Sequence, residues 1–169
     1  MKKTFFLMRH AQTYENAKIE VEEDQRFKLT EVGTSQAKKV GDYLKTIPFD
    51  HYYTSTLPRT QDTLKLALGG NVSYRAIPGL NEMESGKGES RTQVAKRMKQ
   101  TCTELMEKED HHTVLAVSHA GASYSFLKNW LNKEELREIR KDGIVNTIIF
   151  KFDYQNQTFQ LVEIIRPKE

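Results

Sequence analysis

Short apolar runs alternate along this chain with longer stretches in which apolar residues recur at helical spacing. Thr4 to Met8 is a compact apolar run without helical period. Gly33 to Leu44 then carries Ala37, Val40, Tyr43 and Leu44 on one helix face, which predicts a strand, a long loop and a helix. His51 to Thr54 predicts a second strand; Pro58 suits a first helical turn, and Thr63 to Leu68 extends that helix to a stop at Gly69-Gly70. Val72 to Ile77 predicts a third strand. After a polar, glycine-bearing loop, Ser90 and Gln93 form a capping-box signature ahead of Val94, Met98, Cys102, Leu105 and Met106, which predicts a helix from about Thr92 to Glu109. Thr113 to Val117 reads as a further strand, and Ser118-His119-Ala120-Gly121 leads into a helical stretch from Ala122 to Leu131. Val145 to Phe152 and Thr158 to Ile165, separated by Asp153-Tyr154-Gln155-Asn156-Gln157, predict a C-terminal hairpin. Alternating strands and helices imply an α/β fold of three layers, α/β/α. Its sheet is mixed but mainly parallel, with antiparallel strands near one edge. Without a repeat or a linker, residues 1–169 are expected to form a single domain.

Composition narrows the function classes. Lys plus Arg number 26 against 23 Asp plus Glu, and the net charge of +3 is too small to signal a nucleic-acid partner. The N-terminal MKKTFFLMRH begins like a signal peptide, but its apolar part reaches Arg9 and His10 almost at once and has no small-residue cleavage site, so a buried strand is the better reading. With a mean hydropathy of −0.68 and no long apolar stretch, no membrane partner is expected and a cytoplasmic location fits best. The lone Cys102 reads as a small buried apolar residue. Asp110-His111-His112 is rejected as a metal motif, because adjacent side chains on an extended segment point to different sides.

Open parallel sheets hold ligands beyond the carboxyl ends of their strands. Two strands here end in a histidine, at Arg9-His10 and Ser118-His119, and neighbouring loops add Arg59 and Glu82. Either histidine alone would more often be a satisfied core or surface residue; the joint set suits a phosphoryl group.

These residues also carry a family resemblance. Arg9-His10-Ala11-Gln12-Thr13-Tyr14-Glu15-Asn16 is similar to the R-H-G-x-[ST]-x-x-N signature of the phosphoglycerate mutase-like histidine phosphatases, with Ala11 in place of the usual glycine. Leu29 to Gly33 with Gln36-Ala37, Ser55 to Thr63, Leu80-Asn81-Glu82 with Gly86, and Ser118 to Gly121 resemble that family's later segments, in family order. The chain thus resembles a compact branch of the histidine phosphatase superfamily, without the helical lid that family mutases insert after the position of Glu82.

The resemblance implies His10 as nucleophile, kept neutral by neighbouring Arg9 and Arg59, whose planar forks would grip phosphate oxygens. His119 is expected opposite as a charged donor, with the Ala120 N–H at a helix start adding another. Thr13 and Asn16 could donate from the first loop or merely cap it. Glu82 is the expected general acid, its protonated form favoured by the incoming phosphate dianion. No metal and no cofactor is implied. The expected activity is phosphomonoester hydrolysis of a small phosphorylated substrate, with a phosphoprotein as a second substrate class. A phosphoglycerate-type mutase or a protein phosphohistidine phosphatase is the nearest alternative, and a non-catalytic phosphate-binding module the next.

Overall fold

The computed structural model describes residues 1–83 and 88–168. Six strands form a single mixed sheet: β1 (Lys3–Arg9), β2 (His51–Thr54), β3 (Arg75–Ala76), β4 (Thr113–Ser118), β5 (Ile149–Gln155) and β6 (Thr158–Ile165). Their spatial order is β3-β2-β4-β1-β5-β6. The first four run parallel; β5 and β6 are antiparallel and close one edge. This is the expected three-layer arrangement with a mainly parallel sheet.

Strands β1 and β4 lie at the centre and are apolar on both faces, so each feeds two cores. Phe5, Leu7, Val114 and Ala116 face one core with Val94, Met98 and Cys102 of α4 (Arg91–Met106) and Phe126 of α5 (Ala120–Leu127). Phe6, Met8, Leu115 and Val117 face the other with Val40 and Leu44 of α2 (Glu31–Leu44) and Leu64 and Ala67 of α3 (Pro58–Leu68). The period-two alternation along β1 therefore assigns each residue to a layer. Close approach between α2 and α3 depends on Gly41, where a Cβ would lie 2.1 Å from the Ala67 carbonyl oxygen. The four-residue helix α1 (Tyr14–Ala17) lies within what the sequence presents as a loop.

Three expectations need correction. The third strand shrinks from Val72–Ile77 to Arg75–Ala76: these two pair with Tyr53 and Thr54, and the residues before Arg75 leave His51 and Tyr52 of β2 unpaired on that side. The fifth strand starts at Ile149 rather than Val145; Thr147, with φ 63°, turns the chain before it. A helix over Lys133–Asp142 was not expected at all. Its run is almost wholly charged and only Ile139 is buried, although Asn132 and Glu135 form a reciprocal capping box and Gly143 stops it at φ 86°. The hairpin itself is tighter than the sequence suggests, turning on Asn156 and Gln157, both at positive φ. Among the described residues no helix is long and apolar enough to cross a membrane.

Candidate active site

Register places the two strand-end histidines side by side. Arg9 of β1 pairs with Ser118 of β4, and the His10 N–H donates to the Ser118 carbonyl at 3.1 Å, so His10 and His119 leave adjacent parallel strands at the same level. Their ring centroids stand 5.2 Å apart at an interplanar angle of 66°. Both are buried, His10 4% and His119 1% exposed.

His10 Nδ1 lies 2.7 Å from the Ala11 carbonyl oxygen. A carbonyl can only accept, so Nδ1 carries the ring hydrogen and the lone pair of the neutral ring sits on Nε2. Burial pushes the His10 pKa down to about 3, with Arg9 and Arg59 adding smaller contributions in the same direction. The arginines thus act as expected, but desolvation is the larger cause.

His119 differs from expectation. Burial first, then His10, Arg59 and Arg9, hold its pKa well below the ordinary value, so in this environment it is neutral rather than charged. Its Nε2 is 2.9 Å from Ser55 Oγ. The Thr60 hydroxyl can donate to Ser55 Oγ at 2.8 Å, which leaves the Ser55 hydrogen for Nε2 and puts the His119 hydrogen on Nδ1. That Nδ1 is buried without a partner among the described residues, as is Arg9 Nε.

Arg9 is anchored by Nη1 donating to the Ile144 carbonyl at 2.6 Å, and Arg59 lies with its guanidinium carbon 4.8 Å from the centroid of the Phe27 ring. Burial lowers the pKa of both guanidiniums while the Glu82 charge opposes it, so this carboxylate shares their crevice. Glu82 accepts from Gly121 N at 3.0 Å, Ala122 N at 2.7 Å and Met83 N at 3.1 Å. It therefore caps the start of α5, one residue beyond Ala120. Gly121 permits this: a Cβ there would lie 2.7 Å from Glu82 Oε1. Thr13 and Asn16 cap each other, Thr13 N to Asn16 Oδ1 at 3.1 Å and Asn16 N to Thr13 Oγ1 at 3.2 Å. This leaves the Asn16 amide nitrogen and the Thr13 hydroxyl hydrogen for other partners. Gly86 of the matched segment lies outside the described residues.

Sequence reasoning missed the supporting residues. Asn146 Nδ2 donates to the His10 carbonyl at 3.0 Å and to Asn16 Oδ1 at 3.1 Å, across 136 and 130 residues, and no local signal marks it. Thr63 Oγ1 donates to the Arg59 carbonyl at 2.7 Å and accepts from Ala11 N at 3.0 Å. Ser55 and Thr63 did lie within a matched segment, which was the available signal. A cleft of about 600 Å³ lined by Phe27, Leu29, Pro58, Arg59 and Asp62 adjoins Arg59. A larger cavity of about 870 Å³ lies toward the other end of β2, lined by His51, Tyr53 and Arg75, and is remote from this chemistry.

The model of the histidine phosphatase superfamily (branch 1) matches residues 5–89 and 83–166. The chain belongs to the histidine phosphatase superfamily. It is 37% identical to the adenosylcobalamin/alpha-ribazole phosphatase of Salmonella typhimurium over 87 residues, which are 51% of this chain and 43% of that protein. It is 25% identical to a probable phosphoglycerate mutase, GpmB, of Proteus mirabilis over 183 residues, covering 89% of this chain and 85% of that one. Among solved structures, phosphoserine phosphatase of Entamoeba histolytica in complex with 3-phosphoglyceric acid aligns with a TM-score of 0.81, 21% identity and 98% coverage of both chains. Phosphoglycerate mutase of Bacillus anthracis aligns with a TM-score of 0.81 and 17% identity, over 95% of this chain and 92% of that one. Both likenesses are likenesses of fold. Proteins named as phosphatases and as mutases therefore stand together among the relatives of this chain.

Proposed function

We propose that this histidine phosphatase hydrolyses phosphomonoesters through a phosphohistidine on His10, as a single-domain enzyme that uses no metal or cofactor in turnover and works in the cytoplasm. The observation that carries the reading is the His10 ring, neutral by burial and oriented by Ala11 so that Nε2 holds the lone pair. Nε2 attacks phosphorus in line, the ester P–O bond breaks, and Glu82 supplies the proton that the leaving alcohol takes up. Arg9 and Arg59 hold the equatorial oxygens, His119 donates from Nδ1, and Asn16, Thr13 and the Ala120 N–H supply weaker donors. Water then cleaves the P–N bond, Glu82 recovers a proton from it, and inorganic phosphate leaves with His10 restored. The substrate class is a small phosphorylated molecule, with a phosphoprotein as a second class.

Quenching the enzyme with labelled substrate should trap an acid-labile, alkali-stable adduct. Label still formed by a His10→Ala protein would overturn the assignment.

A mutase reading is favoured by the names of the full-length relatives. Against it stands the short interval between Glu82 and Arg91, where α4 begins; the two matched pieces of the family model meet here, at residues 83–89. The loop from Met83 to Arg91 expected to leave the site open includes residues 84–87, outside the described residues. A phosphoenzyme reached by water is hydrolysed, whereas a mutase must retain it for a second alcohol. With 3-phosphoglycerate and catalytic 2,3-bisphosphoglycerate, free phosphate should outpace 2-phosphoglycerate. The reverse order would make the protein a mutase.

A further inference from the structure

At the end of the sheet opposite His10, the starts of β2 and β4 bring His51, Asp110 and His111 together, with one donor atom from each lying within 4.8 Å of the others. His51 Nε2 is 3.4 Å from Asp110 Oδ2, and His111 Nδ1 is 2.8 Å from Asp110 Oδ1. The second nitrogen of each ring is held from behind. His51 Nδ1 lies 2.9 Å from Asp50 Oδ1, and His111 Nε2 lies 2.6 Å from the Tyr53 hydroxyl. The Asp50 carboxylate is itself fixed by the N–H groups of His112 at 2.9 Å and Thr113 at 3.1 Å. Metal-bound imidazoles are oriented in this way, through a carboxylate or hydroxyl on the nitrogen remote from the ion.

We propose that His51, Asp110 and His111 form a binding site for a divalent transition-metal cation of the zinc type, with water completing the coordination, and that the ion clips β2 to β4. Two imidazoles and a carboxylate select borderline cations such as Zn²⁺ and Co²⁺ over Mg²⁺ or Ca²⁺, which favour all-oxygen sets. Ligand atoms about 2.0–2.2 Å from a tetrahedral ion stand about 3.3–3.6 Å from one another; His51 Nε2 is already that far from Asp110 Oδ2, while His111 Nδ1, hydrogen-bonded to the other oxygen at 2.8 Å, must draw back to admit the ion. The imidazoles must open from their present stack, 3.5 Å between centroids and 11° between planes, so that both lone pairs converge. His51 is the ring able to move, being 29% exposed where His111 is 4%. On binding, Nδ1 of His111 turns its lone pair to the ion and Nε2–H donates to Tyr53, so the proton is moved rather than lost. The sequence argument against His111 and His112 as a pair still stands: His112 turns its Nδ1 to Asp50, and the second imidazole comes from His51, far away in the chain. Strand β4, six residues long, separates this cluster from His119 by roughly 20 Å, so the ion takes no part in the phosphoryl chemistry.

The test uses the full chain stripped of metal and titrated with Zn²⁺ by calorimetry and with Co²⁺ by visible absorption. One ion per chain is expected, Mg²⁺ should give no heat, and saturating Zn²⁺ should raise Tm by about 5 °C. His51→Gln, at a partly exposed side chain, and Asp110→Asn, at an exposed one, should each weaken binding by about 10²-fold or more while p-nitrophenyl phosphate hydrolysis is unchanged. Binding that survives in both variants, or that disappears in His10→Asn, would place the ion elsewhere and overturn the proposal. So would the absence of one-to-one binding by the parent protein.

Discussion

Keeping His10 neutral in a buried site has a cost that appears in the pH dependence of folding. In an unfolded chain the ring takes up a proton near its ordinary value of 6.5; in the folded protein it does so only near 3. Above pH 6.5 the ring is neutral in both states and the fold has its full stability. As pH falls below 6.5 the unfolded state gains a proton that the native state refuses, so stability drops continuously until about pH 3. At 1.36 kcal/mol per pH unit the loss is about 2 kcal/mol by pH 5 and about 5 kcal/mol over the whole interval, a large share of the 5–15 kcal/mol typical of a domain. Replacing His10 by Asn removes the titration but keeps an amide that can donate to Ala11. Urea unfolding of both proteins at pH 7.5, 6.5, 5.5 and 5 isolates the effect. His119 and His111, also pushed down by burial, titrate in both proteins, and stopping at pH 5 keeps most carboxylate contributions out. With a slope of about 2 kcal/mol/M, the wild-type midpoint should fall about 1 M further than that of His10→Asn between pH 7.5 and pH 5. Equal losses in the two proteins would mean that His10 titrates normally in the fold, and the argument for a nucleophile kept neutral by burial would fail.

Further outcomes follow from the same geometry. Glu82→Gln should slow hydrolysis of alkyl phosphates by about 10² to 10⁴ and of nitrophenyl phosphate much less; equal losses on both would reduce Glu82 to the cap of α5. Gly121→Ala should mimic it with about 10²-fold less activity on alkyl phosphates and little change in Tm, because the new Cβ displaces the end of a flexible side chain and no backbone. Asn146→Ala should lower stability by about 0.5–1.5 kcal/mol in urea unfolding, since the His10 carbonyl and Asn16 Oδ1 lose their shared donor but keep Thr147 N and Thr13 N. Cys102, fully buried and with its thiol pushed up by burial, should resist a thiol reagent such as DTNB in the native protein and react only on unfolding.

The parts of the fold legible in the sequence are those in which burial pattern and end signals agree. Helix α4 announces itself by its Ser90–Gln93 box and its apolar stripe, and α3 by Pro58 and Gly69. Strand β3 is shorter than its sequence suggests because Val72–Ile77 lies at the sheet edge with no buried residue, and only Arg75 and Ala76 pair with β2. The helix over Lys133–Asp142 is missed for a different reason. It buries little, so the apolar pattern is silent and only its caps, Asn132 and Gly143, give it away.

The candidate site divides along the same line. His10 and His119 follow from where strands end, because parallel register alone sets Arg9 beside Ser118 and carries the next residue of each chain into one crevice. The charge state of His119 does not follow. It depends on how completely the helices seal the strand ends, a property of the packed layers rather than of the motif, and sealing favours a neutral ring where the resemblance leads one to expect a charged one. Asn146 is invisible for a related reason: it reaches the first loop from just before β5, whose antiparallel pairing with β1 brings that turn to the His10 backbone. The same topology assembles His51 with Asp110 and His111, since β2 and β4 are parallel neighbours whose starts must coincide as surely as their ends do. A parallel sheet gathers side chains at both of its rims. Motif reading looks at the carboxyl rim because ligands are expected there, and so passes over a second cluster at the amino rim, built by the same register.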